Sequence, residues 1–210
     1  MNILLLNQQK EKKYLKKIIS FINSFRDEKI YILKKLPNIF FLKKKKIDLL
    51  ISYHNKFIID KKRLKFLKYN CINFHPSYLP KNRGSHPILF SAAKNDIFGV
   101  TIHKINEKID SGDYLFQKKL LLPKNLTLKQ AYEIHENESF EGFKKIYRKI
   151  KKDILENKSI SFKKKRSLNI LGNFNYHKPA LDFISLLPKK WDTKIYEVRE
   201  KYLMLKNIVN

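Results

Sequence analysis

The chain has 210 residues, 43% of them hydrophobic and 13% aromatic, which is enough for one globular domain with a core and a small extension. Its formal net charge is +27, but the lysines are spread through every segment, which favours compositional bias over a dedicated surface for polyanions. No stretch approaches the roughly 18 uninterrupted apolar residues that a membrane span requires. The single cysteine excludes an internal disulfide and favours a cytoplasmic protein.

The apolar patterns predict alternating strands and helices along the chain. Short continuous apolar runs are typical of buried strands, whereas apolar residues at i, i+3, i+4 and i+7 are typical of amphipathic helices. In chain order, the predicted elements are strand Asn2–Leu6, a helix with Leu15, Ile18, Ile19 and Ile22 on one face, a strand in KIYILKKL, strand Ile47–Tyr53, a short helix in DKKRLKFLK, strand CINFH, a helix in HPILFSAAKN, strands GVTIHKI and YLFQKKLLL, and a long helix capped by Thr127.

This alternation predicts an α/β fold, a Rossmann-like and mostly parallel sheet with helices on both faces. Domain 1–160 is expected to be catalytic, and 161–210 to be a C-terminal extension packed on it. Functional sites in such sheets form in the loops at the carboxyl ends of the strands. With only five glycines, the chain has no glycine-rich phosphate loop, and it has no Cys-x-x-Cys or His-Glu-x-x-His metal motif. No metal is therefore expected.

Polar residues are concentrated after the strand CINFH. Asn73 and His75 lie two positions apart, and so on the same side of an extended strand. An Asn carboxamide can stabilise a developing oxyanion, and a His can donate to the same oxygen or move a proton near neutral pH. A carboxylate from the turn IDSGD could orient the imidazole. These residue types suit acyl transfer between nitrogens, although caps of a strand end would also explain Asn73 and His75.

Two motifs in this region resemble those of the folate-dependent formyltransferases. The family's hallmark is Asn-x-His-x-Ser-x-Leu-Pro followed by basic residues and Gly, and residues 73–84 read NFHPSYLPKNRG. A second hallmark is a Leu/Ile-Asp-x-Gly turn after a Gly-Val-Thr strand, and residues 98–113 read FGVTIHKINEKIDSGD. The resemblance spans the chain from about residue 47 onward. It implies the formyltransferase fold and the co-substrate 10-formyltetrahydrofolate, without a metal.

The resemblance also implies roles for particular residues. The catalytic trio would be Asn73, His75 and Asp110, with Asp113 as the rival carboxylate. The pterin of the donor, also near Asp110, would contact mainly backbone groups of Lys56, Phe57 and Ile58, although the loop HNKF departs from the family's more usual loop. The residues implied on the acceptor side are Ser77, Arg83 and Gly84.

Several acceptors occur in the family, and the sequence leaves alternatives open. The chain is shorter than the enzymes that formylate initiator tRNA, and its motifs look most like those of sugar N-formyltransferases. The expected reaction is therefore formylation of the primary amine of a nucleotide-linked amino sugar, as used for bacterial surface polysaccharide such as lipopolysaccharide. The first alternative is a phosphoribosylglycinamide formyltransferase of purine synthesis. The second is a non-catalytic, basic nucleic-acid-binding protein on the same fold.

The partners expected are thus a small-molecule substrate, with no membrane and no specific nucleic acid, and a homodimer is allowed for. The remaining histidines, among them His54, His86, His103, His135 and His177, are expected to be solvated or packed residues without a role in chemistry.

Overall fold

The structure, a computed structural model, describes residues 1–8, 13–158, 160 and 174–209. The chain divides into two compact units. Their described parts are Met1–His75, Ile102–Phe116 and the residues from Ser139 to 160 for unit 1, and Pro76–Thr101, Gln117–Glu138 and the residues from 174 onward for unit 2. The expected domain boundary at 160/161 adjoins residues 161–173, which lie outside the described residues.

A six-stranded sheet forms the centre of the fold, with strand order β2-β1-β3-β4-β6-β7. The pairs β1/β2, β1/β3 and β3/β4 are parallel. A two-residue ribbon, β5 with β8, is separate. The strands are β1 (Asn2–Leu6), β2 (Lys29–Leu33), β3 (Leu49–Ser52), β4 (Cys71–His75), β5 (Arg83–Gly84), β6 (Phe98–Lys104), β7 (Tyr114–Leu120) and β8 (Phe174–Asn175). The predicted α/β class with a mostly parallel sheet is confirmed.

Helices connect the strands, as the alternating pattern predicts. They are α1 (Lys13–Asn23), α2 (Ile39–Lys44), α3 (Lys61–Phe66), α4 (Pro87–Lys94), α5 (Leu128–Leu155), α6 (His177–Ser185) and α7 (Ile195–Val209), with a 3₁₀ turn at Lys190–Asp192. The helix α5 begins one residue after Thr127, whose hydroxyl accepts from the N–H of Gln130 at 3.1 Å. The Gln130 side chain accepts in return from the N–H of Thr127 at 2.9 Å, which completes a capping box and confirms the predicted start.

The strands β1, β3 and β4 are buried on both faces of the sheet. In β1, Ile3 and Leu5 belong to one apolar cluster, whereas Leu4 and Leu6 belong to another. Successive side chains of a strand point to opposite faces, so the two clusters cover the two faces. In the same way, β4 places Ile72 in the first cluster and Cys71, which is fully buried, in the second. The strand β1 has no polar face beyond Asn2, which explains its continuous apolar sequence.

Unit 2 has an apolar cluster of its own. Ile88 and Leu89 of α4 are buried in it with Leu128 and Ala131 from the first turns of α5. Residues of α6 and α7, among them Ala180 and Val198, complete it. None of the described helices is both long and apolar enough to cross a membrane.

Candidate active site

The end of β4 carries the two polar residues that the sequence singled out. Asn73 stands opposite Ser52 of β3 in the parallel register, and His75 is the last residue of the strand. The His75 side chain is only 5% exposed, so its imidazole is held in a fixed position by its surroundings. Both side chains leave the strand on the same side, as their spacing predicts.

The turn that follows β6 brings Asp110 to this strand end. One carboxylate oxygen of Asp110, Oδ2, lies 3.5 Å from Nδ1 of His75. The other, Oδ1, accepts from Nδ2 of Asn73 at 3.3 Å. The structure therefore brings together the three side chains that the resemblance implied as a catalytic trio, all within unit 1. By contrast Asp113, the rival carboxylate, is exposed, and its backbone carbonyl accepts from the N–H of Lys104.

A second imidazole, His103 at the end of β6, completes the cluster. Its Nδ1 lies 2.8 Å from the carbonyl oxygen of Lys104 and must therefore carry the hydrogen and donate. Its Nε2 is then an acceptor, and it receives a hydrogen bond from Nδ2 of Asn73 at 3.2 Å. The same Nε2 lies 3.5 Å from Oδ1 of Asp110. Asn73 thus donates one hydrogen to each of two neighbouring acceptors, which fixes the orientation of its carboxamide.

Sequence reasoning missed His103, which it expected to be solvated or packed without a role. A signal was available, because His103 stands one residue before the end of a strand that leads directly into the IDSGD turn. Residues at such carboxyl ends of strands are the usual contributors to sites in α/β sheets.

The turn that holds Asp110 is tightly constrained. Asp110 has a backbone φ of 46°, in the left-handed region that few residues other than Gly, Asn and Asp adopt readily. Two residues later, a Cβ at Gly112 would overlap the carbonyl oxygen of Lys104. The turn therefore approaches β6 so closely that only glycine fits, which explains the Asp-x-Gly spacing.

The loop expected to receive the folate donor follows β3 in unit 1. The backbone N–H of Lys56 donates to the side chain of Gln8 at 3.1 Å, and the N–H of Phe57 donates to the side chain of Asn55 at 3.2 Å. The side chains of Phe57 and Ile58 are exposed, at 38% and 62%. These two apolar side chains suit a flat heteroaromatic ring, but two backbone donors expected to bind the pterin already have partners within the protein. A role for Lys56, Phe57 and Ile58 in donor binding stays a prediction.

The loop also contains His54, whose environment keeps it neutral. Burial lowers the pKa of His54 to about 4, and its ring lies edge-on to that of Tyr53, with centroids 4.4 Å apart. It is thus a packed residue rather than a solvated one. A groove of about 500 Å³ lies elsewhere on unit 1, lined by residues that the sequence had not implicated: Lys16, Lys17, Ser20, Phe21 and Phe140.

The residues implied on the acceptor side lie in unit 2. Ser77 is fully buried, and its hydroxyl donates to the carbonyl of Lys81 at 2.7 Å. The hydroxyl therefore makes a hydrogen bond within its own loop, and its contact with substrate stays a prediction. Arg83 and Gly84 form β5, where the Arg83 guanidinium lies 6.0 Å from the ring centre of Phe174. No group of three or more His, Cys, Asp or Glu that could hold a metal ion occurs among the described residues.

Comparison with known proteins identifies the family. A family model described as "Formyl transferase" matches residues 36–146, more than half of the chain. Among curated proteins, a methionyl-tRNA formyltransferase of Wolbachia pipientis is 44% identical over 71 residues, which are 33% of this chain and 24% of that protein. The methionyl-tRNA formyltransferase of Ehrlichia ruminantium is 52% identical over 58 residues, 27% of this chain and 19% of that protein. The match thus spans a quarter or less of the length of these relatives.

Solved structures match over nearly the whole chain. The formyltransferase PseJ from Anoxybacillus kamchatkensis, in complex with UDP-4,6-dideoxy-4-formamido-L-AltNAc and tetrahydrofolate, has a TM-score of 0.79 at 26% identity. The match covers 96% of this chain and 100% of that one. An N-formyltransferase from Helicobacter canadensis, in complex with folinic acid and dTDP-3-aminofucose, has a TM-score of 0.65 at 18% identity, covering 99% and 81%. The second likeness is one of fold alone.

Proposed function

Since the chain belongs to the formyl transferase family, we propose that it transfers a formyl group from 10-formyltetrahydrofolate to the primary amine of a nucleotide-linked amino sugar. The observation that carries the proposal is the meeting of Asn73, His75 and Asp110 within 3.5 Å at the end of β4. The acceptor class is supported by the likeness, over nearly the whole chain, to the formyltransferase PseJ, which was solved with a UDP-linked sugar.

Asn73 and His75 supply donors for the formyl oxygen. As the amine attacks the formyl carbon, negative charge develops on that oxygen, and one aimed hydrogen-bond donor can lower the barrier by about 3 kcal/mol. Both hydrogens on Nδ2 of Asn73 have partners in this structure, His103 and Asp110. The formyl oxygen would take the place of the longer of these bonds, the one to Asp110. His103 would keep the carboxamide oriented throughout.

Asp110 is the base of the reaction. A bond forms between the amine nitrogen and the formyl carbon, and the bond from that carbon to the donor nitrogen breaks. The attacking amine loses one proton to Asp110, and the donor nitrogen leaves with one proton. Because Asp110 also lies 3.5 Å from Nδ1 of His75, it can orient the imidazole before the amine arrives. The enzyme needs no covalent nucleophile for this sequence.

A panel of acceptors tests the proposal. Purified protein is mixed with 10-formyltetrahydrofolate and, in separate reactions, with UDP- and dTDP-linked amino sugars, glycinamide ribonucleotide and methionyl-tRNA. We expect tetrahydrofolate release and formation of a formamide only with the amino sugars. His75→Ala should lower the rate by roughly 10²–10⁴-fold, the usual contribution of a positioned acid–base group, without lowering the unfolding temperature by more than a few degrees.

The panel also decides between acceptors. The curated relatives from Wolbachia and Ehrlichia favour methionyl-tRNA as a second candidate, because they are enzymes named for it. Turnover of methionyl-tRNA or of glycinamide ribonucleotide, with no turnover of any amino sugar, would overturn the proposed acceptor but keep formyl transfer. Equal rates for His75→Ala and the unaltered protein would remove the mechanism.

A further inference from the structure

A second group of polar rings lies in unit 2, outside the cluster around Asp110. It is built by the short ribbon in which β5 pairs with β8, so that Arg83 stands opposite Phe174 and Gly84 opposite Asn175. The N–H of Ser85 extends the pairing by donating to the carbonyl of Asn175 at 2.9 Å. The segments 83–86 and 174–177, about ninety residues apart in sequence, therefore run side by side.

The ribbon places two histidines in direct contact. The rings of His86 and His177 are stacked, with centroids 5.1 Å apart and planes inclined by 14°. Nε2 of His86 lies 3.1 Å from Nδ1 of His177, and Oγ of Ser85 lies 3.2 Å from the same Nδ1. The ring of Trp191 also lies near His86, with its centroid 6.0 Å away. His177 is exposed, so this pair lies at the surface of the unit.

A buried polar network supports the ribbon from below. The carboxamide of Asn175 donates to that of Asn82 at 3.2 Å, and Asn82 donates in turn to the hydroxyl of Ser91 at 3.0 Å. Lys94 donates to Asn175 at 2.9 Å. Buried polar groups that are fully bonded in this way hold a surface in one conformation. The histidine pair therefore sits on a rigid base.

The pair can take up one proton. When both rings are neutral, a single N–H lies between Nε2 of His86 and Nδ1 of His177, and the two remaining ring nitrogens offer one donor and one acceptor. With one more proton, both remaining nitrogens become donors and the pair becomes a cation. Burial, followed by the nearby His177, lowers the pKa of His86, so His86 is neutral at pH 7 until an anion favours its charged form.

The surroundings of the pair are mainly cationic. The charged residues on the segments that meet there are Arg83, Lys178, Lys190 and Asp192. The network beneath contains Lys94 and also Asp96, whose carboxylate accepts from Asn82 at 3.3 Å. Three of the four surface groups are therefore positive. An anion would gain from their field and from a protonated imidazole pair, and imidazolium and guanidinium are both strong donors to phosphate oxygens.

We propose that His86 and His177, with Ser85 and Arg83, bind the diphosphate of a nucleoside diphosphate-linked acceptor, and that the pair takes up a proton as the anion binds. This inference rests on the proposed function, because it assigns a place to the charged part of the same acceptor. It also explains why two histidines that take no part in the transfer are held in contact by a ribbon and a buried network.

Calorimetric titration of the full chain, without folate, tests the site. The probe is UDP-glucose, whose diphosphate diester does not titrate between pH 6 and pH 8, and which has no amine to be formylated. We expect it to bind roughly tenfold more tightly at pH 6 than at pH 8, because a proton is taken up on binding. Uridine should bind weakly at both pH values, and ribose 5-phosphate more weakly than UDP-glucose, which separates a diphosphate site from a monophosphate site.

The variant His177→Gln keeps a hydrogen-bonding side chain but cannot accept a proton. We expect it to bind UDP-glucose about tenfold more weakly than the unaltered protein at pH 6. His86 can still take up a proton in this variant, so the pH dependence is tested in the double variant His86→Gln, His177→Gln, which should bind with little difference between pH 6 and pH 8. The exposed Lys119 on β7 provides a control, since Lys119→Ala removes a cation elsewhere and should keep the pH dependence. Unfolding temperatures of all three variants confirm that they fold.

Three results would overturn the inference: no binding of UDP-glucose, equal affinity at pH 6 and pH 8, or an unchanged pH dependence in the double variant His86→Gln, His177→Gln. The failure of the proposed function looks different. In that case UDP-glucose binds as expected and His177→Gln weakens it, but none of the amino sugars in the acceptor panel is formylated. Conversely, formylation of an amino sugar with pH-independent binding of UDP-glucose leaves the function standing and removes this site.

Discussion

Asp110 combines three constraints in one residue: a left-handed backbone, contact with two polar groups of β4, and a turn pressed against β6. The left-handed conformation is one that Asn adopts as readily as Asp. The carboxylate can therefore be removed without disturbing the turn, which makes the residue suitable for a clean substitution.

We expect Asp110→Asn to lower kcat/KM for formyl transfer by roughly 10²–10⁴-fold, because the amide cannot accept the proton that leaves the attacking amine. The matched substitution is Asp113→Asn, three residues along the same turn at an exposed position. It removes the same charge and should change kcat/KM less than about threefold. Tetrahydrofolate release, followed with the acceptor that is turned over fastest, measures both variants.

The result would count against the assigned base if the two variants lost activity equally, or if only Asp113→Asn did. A loss of unfolding temperature in Asp110→Asn would show instead that the carboxylate stabilises the turn. The ratio of the two rates, rather than either rate alone, is therefore the measurement that decides the role of Asp110.

How far sequence predicts these residues depends on their separation. Asn73 and His75 share a side of one strand because side chains alternate, so their meeting follows from spacing alone. The contact of Asn73 with His103 depends on the neighbouring positions of β4 and β6 in the sheet and on the tautomer that the Lys104 carbonyl imposes. Neither can be read from composition or periodicity, and His103 was consequently overlooked.

Among the elements, those with strong patterns were predicted and those with weak ones were not. The strand β1 contains a continuous apolar run because both of its faces are buried, and α5 has a capping box at its start. The helix α2 was not predicted because it is short and only one of its residues, Leu42, is buried. Its last two residues, Lys43 and Lys44, also belong to a run of lysines that continues beyond the helix. Its cap was nonetheless visible as Asn38, whose side chain accepts from the N–H of Phe41.

The ribbon of β5 and β8 shows the limit of local pattern. Each strand has two residues, and their partners lie about ninety positions away, so no periodicity marks either one. Only the glycine hints at a constraint. Gly84 has φ of 85°, and a Cβ there would overlap the carbonyl oxygen of Asn175, which is backbone and cannot move aside alone.

We therefore expect Gly84→Ala to lower the free energy of unfolding by about 2–4 kcal/mol, through left-handed strain together with separation of the ribbon. Urea denaturation followed by circular dichroism measures the change. Ser85→Ala is the comparison, because it removes a hydroxyl from the next residue but keeps the backbone bond to Asn175, and it should cost less than about 1 kcal/mol. Similar losses of unfolding free energy in both variants would mean that the backbones at Gly84 and Asn175 can move apart with little loss of stability.

At the scale of the whole molecule, stability should depend on pH through one buried acid. Glu136 on α5 is 4% exposed, and burial raises its pKa to about 8 from an ordinary value of 4.5. A raised pKa in the folded state means that the folded protein holds the proton more tightly than the unfolded chain. The stability tied to that proton is fully present below pH 4.5 and is lost as the pH rises towards 8.

We expect the free energy of unfolding to fall by about 2 kcal/mol between pH 6.5 and pH 8 on account of Glu136. Three histidines have the opposite sign, since burial lowers the pKa of His54 and His135 to about 4 and lowers that of His86 as well, and their contribution to stability still rises over the first pH unit above 6.5. The difference between the unaltered protein and Glu136→Gln therefore isolates Glu136. Glu136→Gln should remove the fall and leave only the opposite effect of the histidines, as measured by urea denaturation at both ends of the range.

The exposed Glu133 lies on the same helix and gives the comparison, because Glu133→Gln removes an equal charge from solvent. It should leave the slope between pH 6.5 and pH 8 as it is in the unaltered protein. A slope that persists in Glu136→Gln, or one that disappears in both variants, would assign the pH dependence to other groups.

The burial of Cys71 has a practical consequence for following motion in the strand that carries Asn73 and His75. Its thiol is the only one in the chain, and it lies in the apolar interior two residues before Asn73. Burial raises the pKa of this thiol, so it should not react with alkylating reagents while β4 stays paired. Labelling of the native protein would then proceed only through transient opening. The rate of modification would therefore measure how often β4 opens. Comparing this rate with and without bound folate would measure how strongly the ligand stabilises the paired strand.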